Sequence, residues 1–208
     1  MNHLAEEILN FWFGSTNLAK PLEKRQVWFR STPEFDQEIK DRFTETHKRA
    51  SEGKLDFLKG MPGEYLSLII ILDQFPRNIY RGTPKAYVSD PKALEISSLA
   101  LDLGYDAEFG LRQKIFTYLP FEHSENLEHQ ERALSLFMKL GDDNSKKSAQ
   151  GHFDAIKKFG RFPHRNKILG RLNTPEEEEY MKNPPMWGKT AAEAKELERT
   201  QQKNQTKT

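Results

Sequence analysis

Two stretches of this chain repeat a set of residues suited to gripping an anion. Phe75-Pro76-Arg77-Asn78 is matched by Phe162-Pro163-His164-Arg165-Asn166 with one residue inserted; Arg81 follows the first and Arg161 precedes the second. A guanidinium holds carboxylate or phosphate through two parallel hydrogen bonds. Arg77, Arg81, Arg161 and Arg165 converging from two turns would therefore surround one small anion. Histidine adds proton transfer near neutral pH. His164 lies inside the second stretch, and His123 inside Tyr118-Leu119-Pro120-Phe121-Glu122-His123-Ser124-Glu125. Asp73, four residues before Arg77, supplies a carboxylate to set the polarity of an imidazole. Asp73, His123 and His164 are thus the candidates for acid–base work.

Helical geometry adds two more ligand-binding candidates. At about 100° per residue, His123, Leu127, Gln130 and Leu134 share one face, with Glu125 and His129 opposite. Glu125 and His129 have metal-ligand spacing but belong on the solvent side. His152 falls with Ala149, Phe153 and Ile156 on a buried face. Inward histidines with Asp73 and His164 suit an acid–base or a metal site, yet no spacing fixes their separation. No metal and no cofactor is expected. The structural account stands beside the functional one: arginines bond free carbonyls where helices end, and an inward histidine is usually a satisfied core residue.

The element that must position these groups is the apolar run before Asp73. From Tyr65 to Leu72 only Ser67 is polar, so a helix over 66–74 is apolar on all sides and belongs in the middle of a domain. It is far shorter than the ~20 residues of a membrane span. Pro76 is expected to end it, leaving Asp73 in the last turn, where the helix dipole is already negative. A buried carboxylate there needs a cation. Other helices are expected over 3–12, 33–50, 90–103, 108–118 (broken by Pro120), 125–140 (capped by Ser124), from Asp143 or Asn144 to 159, and after Thr174. Phe11-Trp12-Phe13 reads as a cluster docking the first helix. No segment alternates with a strand period, so the fold class is all-α.

The 208 residues are 30% charged and 11% aromatic, with net charge +1. That balance gives no basis for nucleic acid as a partner. Zero cysteines exclude disulfides, thiolate metal sites and thiol nucleophiles. The first residues carry acidic side chains where a signal peptide is basic; a soluble, cytoplasmic protein without a membrane partner is expected. One helical domain over 1–182 is followed by a polar tail over 183–208, with a marginal helix over 190–199 and then disorder.

The stretches 71–83, 118–125 and 159–166, with Phe11-Trp12-Phe13, resemble the signature blocks of a bacterial family of unknown function, number 924, and the likeness spans 4 to about 181. The resemblance implies an α-α superhelix packed like tetratricopeptide proteins, with antiparallel helix pairs around the 66–74 helix. The repeat pattern of such proteins is not visible in this sequence. The resemblance implies no activity. Three readings follow: a binding module for a small anionic or peptide ligand; an enzyme on a phosphorylated or carboxylated metabolite, with histidine as acid or base; or a polar cluster that only ties helix ends together. Oligomeric state has no sequence signal.

Overall fold

Side-chain caps open several of the helices. A computed structural model describes the backbone of residues 1–205 and the side chains of 1–199. Asn2 opens α1 (His3–Phe13), which Gly14 closes in the left-handed region at φ 70°. Thr32 caps α2 (Pro33–Ser51), whose first turn holds Pro33. Thr174 and Glu177 form a reciprocal capping box on α9 (Pro175–Tyr180). One expected start is corrected. The helix expected from Ser124 is α7 (Leu127–Met138), capped by Asn126, and Ser124 Oγ bonds to His129 Nδ1 instead. α8 runs over Asp143–Phe159, as expected, with Asp142 capping it by accepting from Ser145 N.

The apolar run lies at the centre, as expected, but Pro76 does not end it. α3 (Pro62–Ile69) passes into a π-helical turn, Ile70–Gln74, and on into α4 (Phe75–Ile79) as one rod. Proline removes one helical hydrogen bond and crowds the carbonyl four residues back. Here that carbonyl is Leu72 O, and Ser89 Oγ donates to it at 2.7 Å. Ser89 sits at the N-cap position of α5 (Asp90–Asp102), where its side chain makes no capping bond. Pro120 is likewise inside a helix, α6 (Leu111–Glu122), rather than beyond its end. The carbonyl of Thr117, beside that break, accepts from Ser97 Oγ of α5. One helix therefore supplies a serine to each proline-disrupted neighbour.

Around the α3–α4 rod, α1 and α2 pack on one side and α5 and α6 on another. Leu66 and Leu68 to Leu72 are each at most 1% exposed. Trp12, Phe13, Phe43, Phe75 and Phe116 fill the gaps, Phe43 and Phe75 lying 4.6 Å apart and Trp12 and Phe116 5.5 Å. The Phe11-Trp12-Phe13 cluster thus docks the first helix. α6, α7 and α8 then pack consecutively, and their short connections make them antiparallel neighbours. No strand occurs among the described residues, so the protein is all-α; the consecutive packing is consistent with a superhelix.

The C-terminal segment ends in α10 (Ala191–Gln205), longer than the marginal helix expected over 190–199. Its backbone meets the body where Ala191 N donates to Ser31 O at 3.0 Å, and Ala194 is buried. The disorder expected farthest along falls partly on 206–208, outside the described residues. Among the described residues, no helix is long and apolar enough to cross a membrane.

Replacing Ser89 by alanine strands the Leu72 carbonyl in the core, a loss of about 1–3 kcal/mol. Denaturant unfolding of the Ser89→Ala variant measures it; a loss under about 0.5 kcal/mol would mean that the π turn satisfies itself.

Candidate functional site

Because the helix continues through Pro76, Asp73 stands in the middle of the rod, not in a last turn, and its surroundings must supply all its stabilisation. Asp73 is 0% exposed. Its carboxylate accepts from Gln74 Nε2 at 2.5 Å and from His123 Nδ1 at 2.7 Å, and it pairs with Arg77 at 3.3 Å. Burial pushes the acid upward, but the charge of Arg77, with His123 and Gln74 bonded to the carboxylate, outweighs it and holds Asp73 at about 2. Arg77 also makes a two-pronged contact with Asp90, at 2.8 and 3.0 Å. That aspartate opens α5, where a negative charge suits the helix dipole.

Gln74, Arg77 and His123 in turn line a cavity of about 450 Å³, with Asp73 buried behind them. His123, His152, His164, Arg77, Arg81 and Arg165 all line it, so helices α4, α6 and α8 and the 162–166 turn do bring most of the predicted set together. Two predicted members are elsewhere. Arg161 is held by Glu177 through two bonds of 2.7 Å, with a third to Leu172 O, on a separate shallow depression. The repeat of Phe-Pro-Arg-Asn placed it by analogy, but the two copies sit on different backbone, a helix and a 3-10 turn. Gln130 is fully buried and donates to the carbonyls of Phe121, Glu122 and Ser124, closing the end of α6. Sharing a helical face with His123 meant nothing here, since His123 lies before that helix begins. The Glu125/His129 pair is split as well: Glu125 accepts from Arg171 and from Phe162 N, fastening the 162–166 turn. Among the described residues no group of three or more acidic or histidine side chains is arranged for a metal.

The arginines on the cavity differ in how fully they are bonded. Arg81 clamps Asp36 at 2.6 and 2.9 Å and donates to Gly188 O. Arg77 is saturated by Asp73 and Asp90. Arg165 is not. It is 6% exposed, with its guanidinium 4.6 Å from the rings of both Tyr87 and Phe162. Its nearest acid is Asp90 at 3.7 Å, too long for a hydrogen bond, and its buried Nε has no partner. Arg112, which no sequence signal singled out, repeats the pattern, with Asp142 at 3.6 Å and an unpartnered Nε.

The histidines are neutral at neutral pH. Burial, then the neighbouring Arg77, lower His123 despite Asp73 beside it. Burial and Arg165 bring His164 to about 3, and burial also carries His152 well below an ordinary imidazole. Donation from Nδ1 of His123 to Asp73 leaves Nε2 as the basic nitrogen. His152 points Nδ1 at Ser148 O, 2.9 Å, and at Glu122 Oε1, 3.0 Å. Glu122 is the residue that sequence reasoning missed. It is 2% exposed, accepts from Ser148 Oγ at 2.8 Å, and leaves Oε2 unpartnered. Burial raises it to about 8, so a large share of it is protonated at pH 7. The signal was available: an acid at the C-terminal end of an apolar helix is unfavourable, the argument applied to Asp73. A neutral base, a neutral carboxylic acid and an arginine with free donors on one wall can bind an anion and move a proton.

Asp73→Ala leaves His123 and Gln74 without their acceptor and Arg77 with Asp90 alone. A loss of about 3 kcal/mol is expected, the lower end for breaking a buried pair, because Asp90 remains. Thermal melts showing less than about 1 kcal/mol would contradict a buried carboxylate at the centre. Glu122 has the opposite sign. Its raised pKa gives stability that is fully present below about pH 4.5 and is lost as pH rises through about 8. Melting temperatures of wild type and Glu122→Gln should therefore diverge over this window, the variant gaining with pH; parallel curves would place Glu122 in contact with water.

Comparison with known proteins agrees with this architecture. A solved structure, that of the protein of unknown function ATU0120 from Agrobacterium tumefaciens, is similar with a TM-score of 0.79 at 37% identity; the match covers 86% of this chain and 97% of that one. Comparison with curated proteins finds no match. The model of the family described as "Bacterial protein of unknown function (DUF924)" matches residues 8–185. The chain belongs to that family.

Proposed function

We propose that the cavity binds a small molecule through a carboxylate or phosphate, with Arg165 as its anchor. The observation that carries this is the incomplete bonding of Arg165. A guanidinium removed from water and lacking hydrogen-bond acceptors is costly, and an anion from outside would supply them. The two flanking rings hold its plane in place for a two-pronged grip. Arg112, Lys24 and Lys189 on the same wall add positive charge. A cavity of about 450 Å³ suits a small ligand better than a peptide. The purely structural reading fits Arg77, Arg81 and Arg161, which are held by carboxylates and carbonyls, and Gln130, whose amide nitrogen closes the end of α6; it does not account for Arg165.

A second reading is favoured by the Asp73–His123 pair. An oriented neutral imidazole, with Nε2 free of any protein partner, is the arrangement of a general base. On this reading the protein is an enzyme acting on a phosphorylated or carboxylated metabolite, with Arg165 orienting the anion and His123 moving the proton.

Thermal-shift titration with inorganic phosphate and with acetate tests the first reading. An anion at about a hundred times its Kd adds about 2.7 kcal/mol to stability, and Arg165→Ala should abolish that gain. Stabilisation that persists in Arg165→Ala, or none in wild type, would overturn it. Any turnover found in a metabolite screen should vanish in His123→Ala while anion binding stays; turnover that survives would remove the enzyme reading.

A further inference from the structure

The same cavity has a second compartment, and the protein fills it with its own side chain. Trp187 lies 3.6 Å from the His152 ring, nearly parallel at 25°. His164 meets the indole edge-on at 5.6 Å and Phe162 at 6.2 Å. Helix α8 makes room for it: a Cβ on Gly151 would stand 3.0 Å from indole Cζ2. One wall is thus a parallel ring face, two are rings set steeply to the indole, and the fourth is a missing side chain. The niche has the shape of a slot for a planar ring.

Phe162 is shared between this slot and the anion anchor. Its ring lies 4.6 Å from the Arg165 guanidinium and meets the indole in a T-shaped contact at 6.2 Å. Slot and anchor are therefore neighbours across one side chain, a separation that a ring carrying an acidic group can span. Both histidines of the slot are neutral, so they present faces for stacking rather than charges. Trp187 itself is only half-buried, and polar contacts tether its segment: Arg30 donates to Met186 O and Arg81 to Gly188 O, each at 3.1 Å. The slot's walls lie within the region that the family model matches, whereas Trp187 lies two residues past its end.

Resting on the anion-binding reading, we propose that the His152–Phe162–His164 slot is the ring subsite of this cavity. It takes the planar aromatic part of a ligand whose carboxylate or phosphate goes to Arg165, and Trp187 is a tethered occupant that such a ligand displaces.

Calorimetric titration of wild type and full-length Trp187→Ala with phenyl phosphate, inorganic phosphate and benzyl alcohol tests this. Emptying the slot should tighten phenyl phosphate by about tenfold. Inorganic phosphate should bind both proteins alike, and benzyl alcohol should stay weak in both. Equal phenyl phosphate affinities, or a weaker one in Trp187→Ala, would overturn the subsite while leaving the anion site in place. Failure of both phosphates to bind either protein would remove the anion site and the subsite together. Should Trp187→Ala not fold, wild-type tryptophan emission reads the same event. Phenyl phosphate should change it, inorganic phosphate should not, and Trp187→Phe should erase the response; an unchanged emission at saturation would overturn displacement.

Discussion

A carboxylate with no access to water, held by one guanidinium, one imidazole and one amide, is the constraint that the rest of this molecule obeys. Asp73 is ionised inside the apolar rod only because Arg77 and the His123 imidazole approach it. Arg77 is in turn held by Asp90 at the start of α5, and Arg165 reaches the same aspartate from the 162–166 turn. The order of dependence runs outward from the helix. Shifting Asp73 would release the imidazole and the guanidinium that form the back of the cavity. Polar networks of this kind are favourable only when every member is satisfied, and in the inner layer every member is. The outer layer differs. There Arg165, Arg112, His164 and one oxygen of Glu122 keep unpartnered atoms beside the cavity, and these are the groups within reach of a ligand.

The two prolines explain how such a cluster can sit on helices at all. Proline inside a helix frees carbonyls, and freed carbonyls in a core must find donors. Ser89, at the head of α5, provides one for the α3–α4 rod, and Ser97 of α5 donates to Thr117 O next to the carbonyl that Pro120 frees in α6. Asp90 of the same helix holds Arg77. One amphipathic helix therefore braces two interrupted neighbours and fixes one charge.

Much of this was legible in the sequence, and what was not has a common cause. The apolar run over 66–74, the helix caps at Thr32 and Thr174, and the need of Asp73 for a cation all follow from local chemistry. Each concerns residues within a few positions of one another. Continuation of the helices through Pro76 and Pro120 depends on serines far along the chain, so the local rule failed. Arg161 was placed with Arg165 because the motif repeats, yet Glu177, which the capping box also uses, satisfies it. Glu122 was within reach of the reasoning applied to Asp73. It ends an apolar helix beside His123, the position at which a carboxylate is least favoured.

The π turn at Ile70–Gln74 carries one consequence for how this arrangement can arise or vanish. Such a turn amounts to a single extra residue in an otherwise α-helical path. Without it, everything downstream would swing by about 100° around the axis, carrying Arg77, Asn78 and Arg81 off the face they now share. Exchanging one amino acid for another cannot produce that rotation. Gain or loss of this pocket within a lineage is therefore a matter of chain length at one place, a single-codon insertion or deletion.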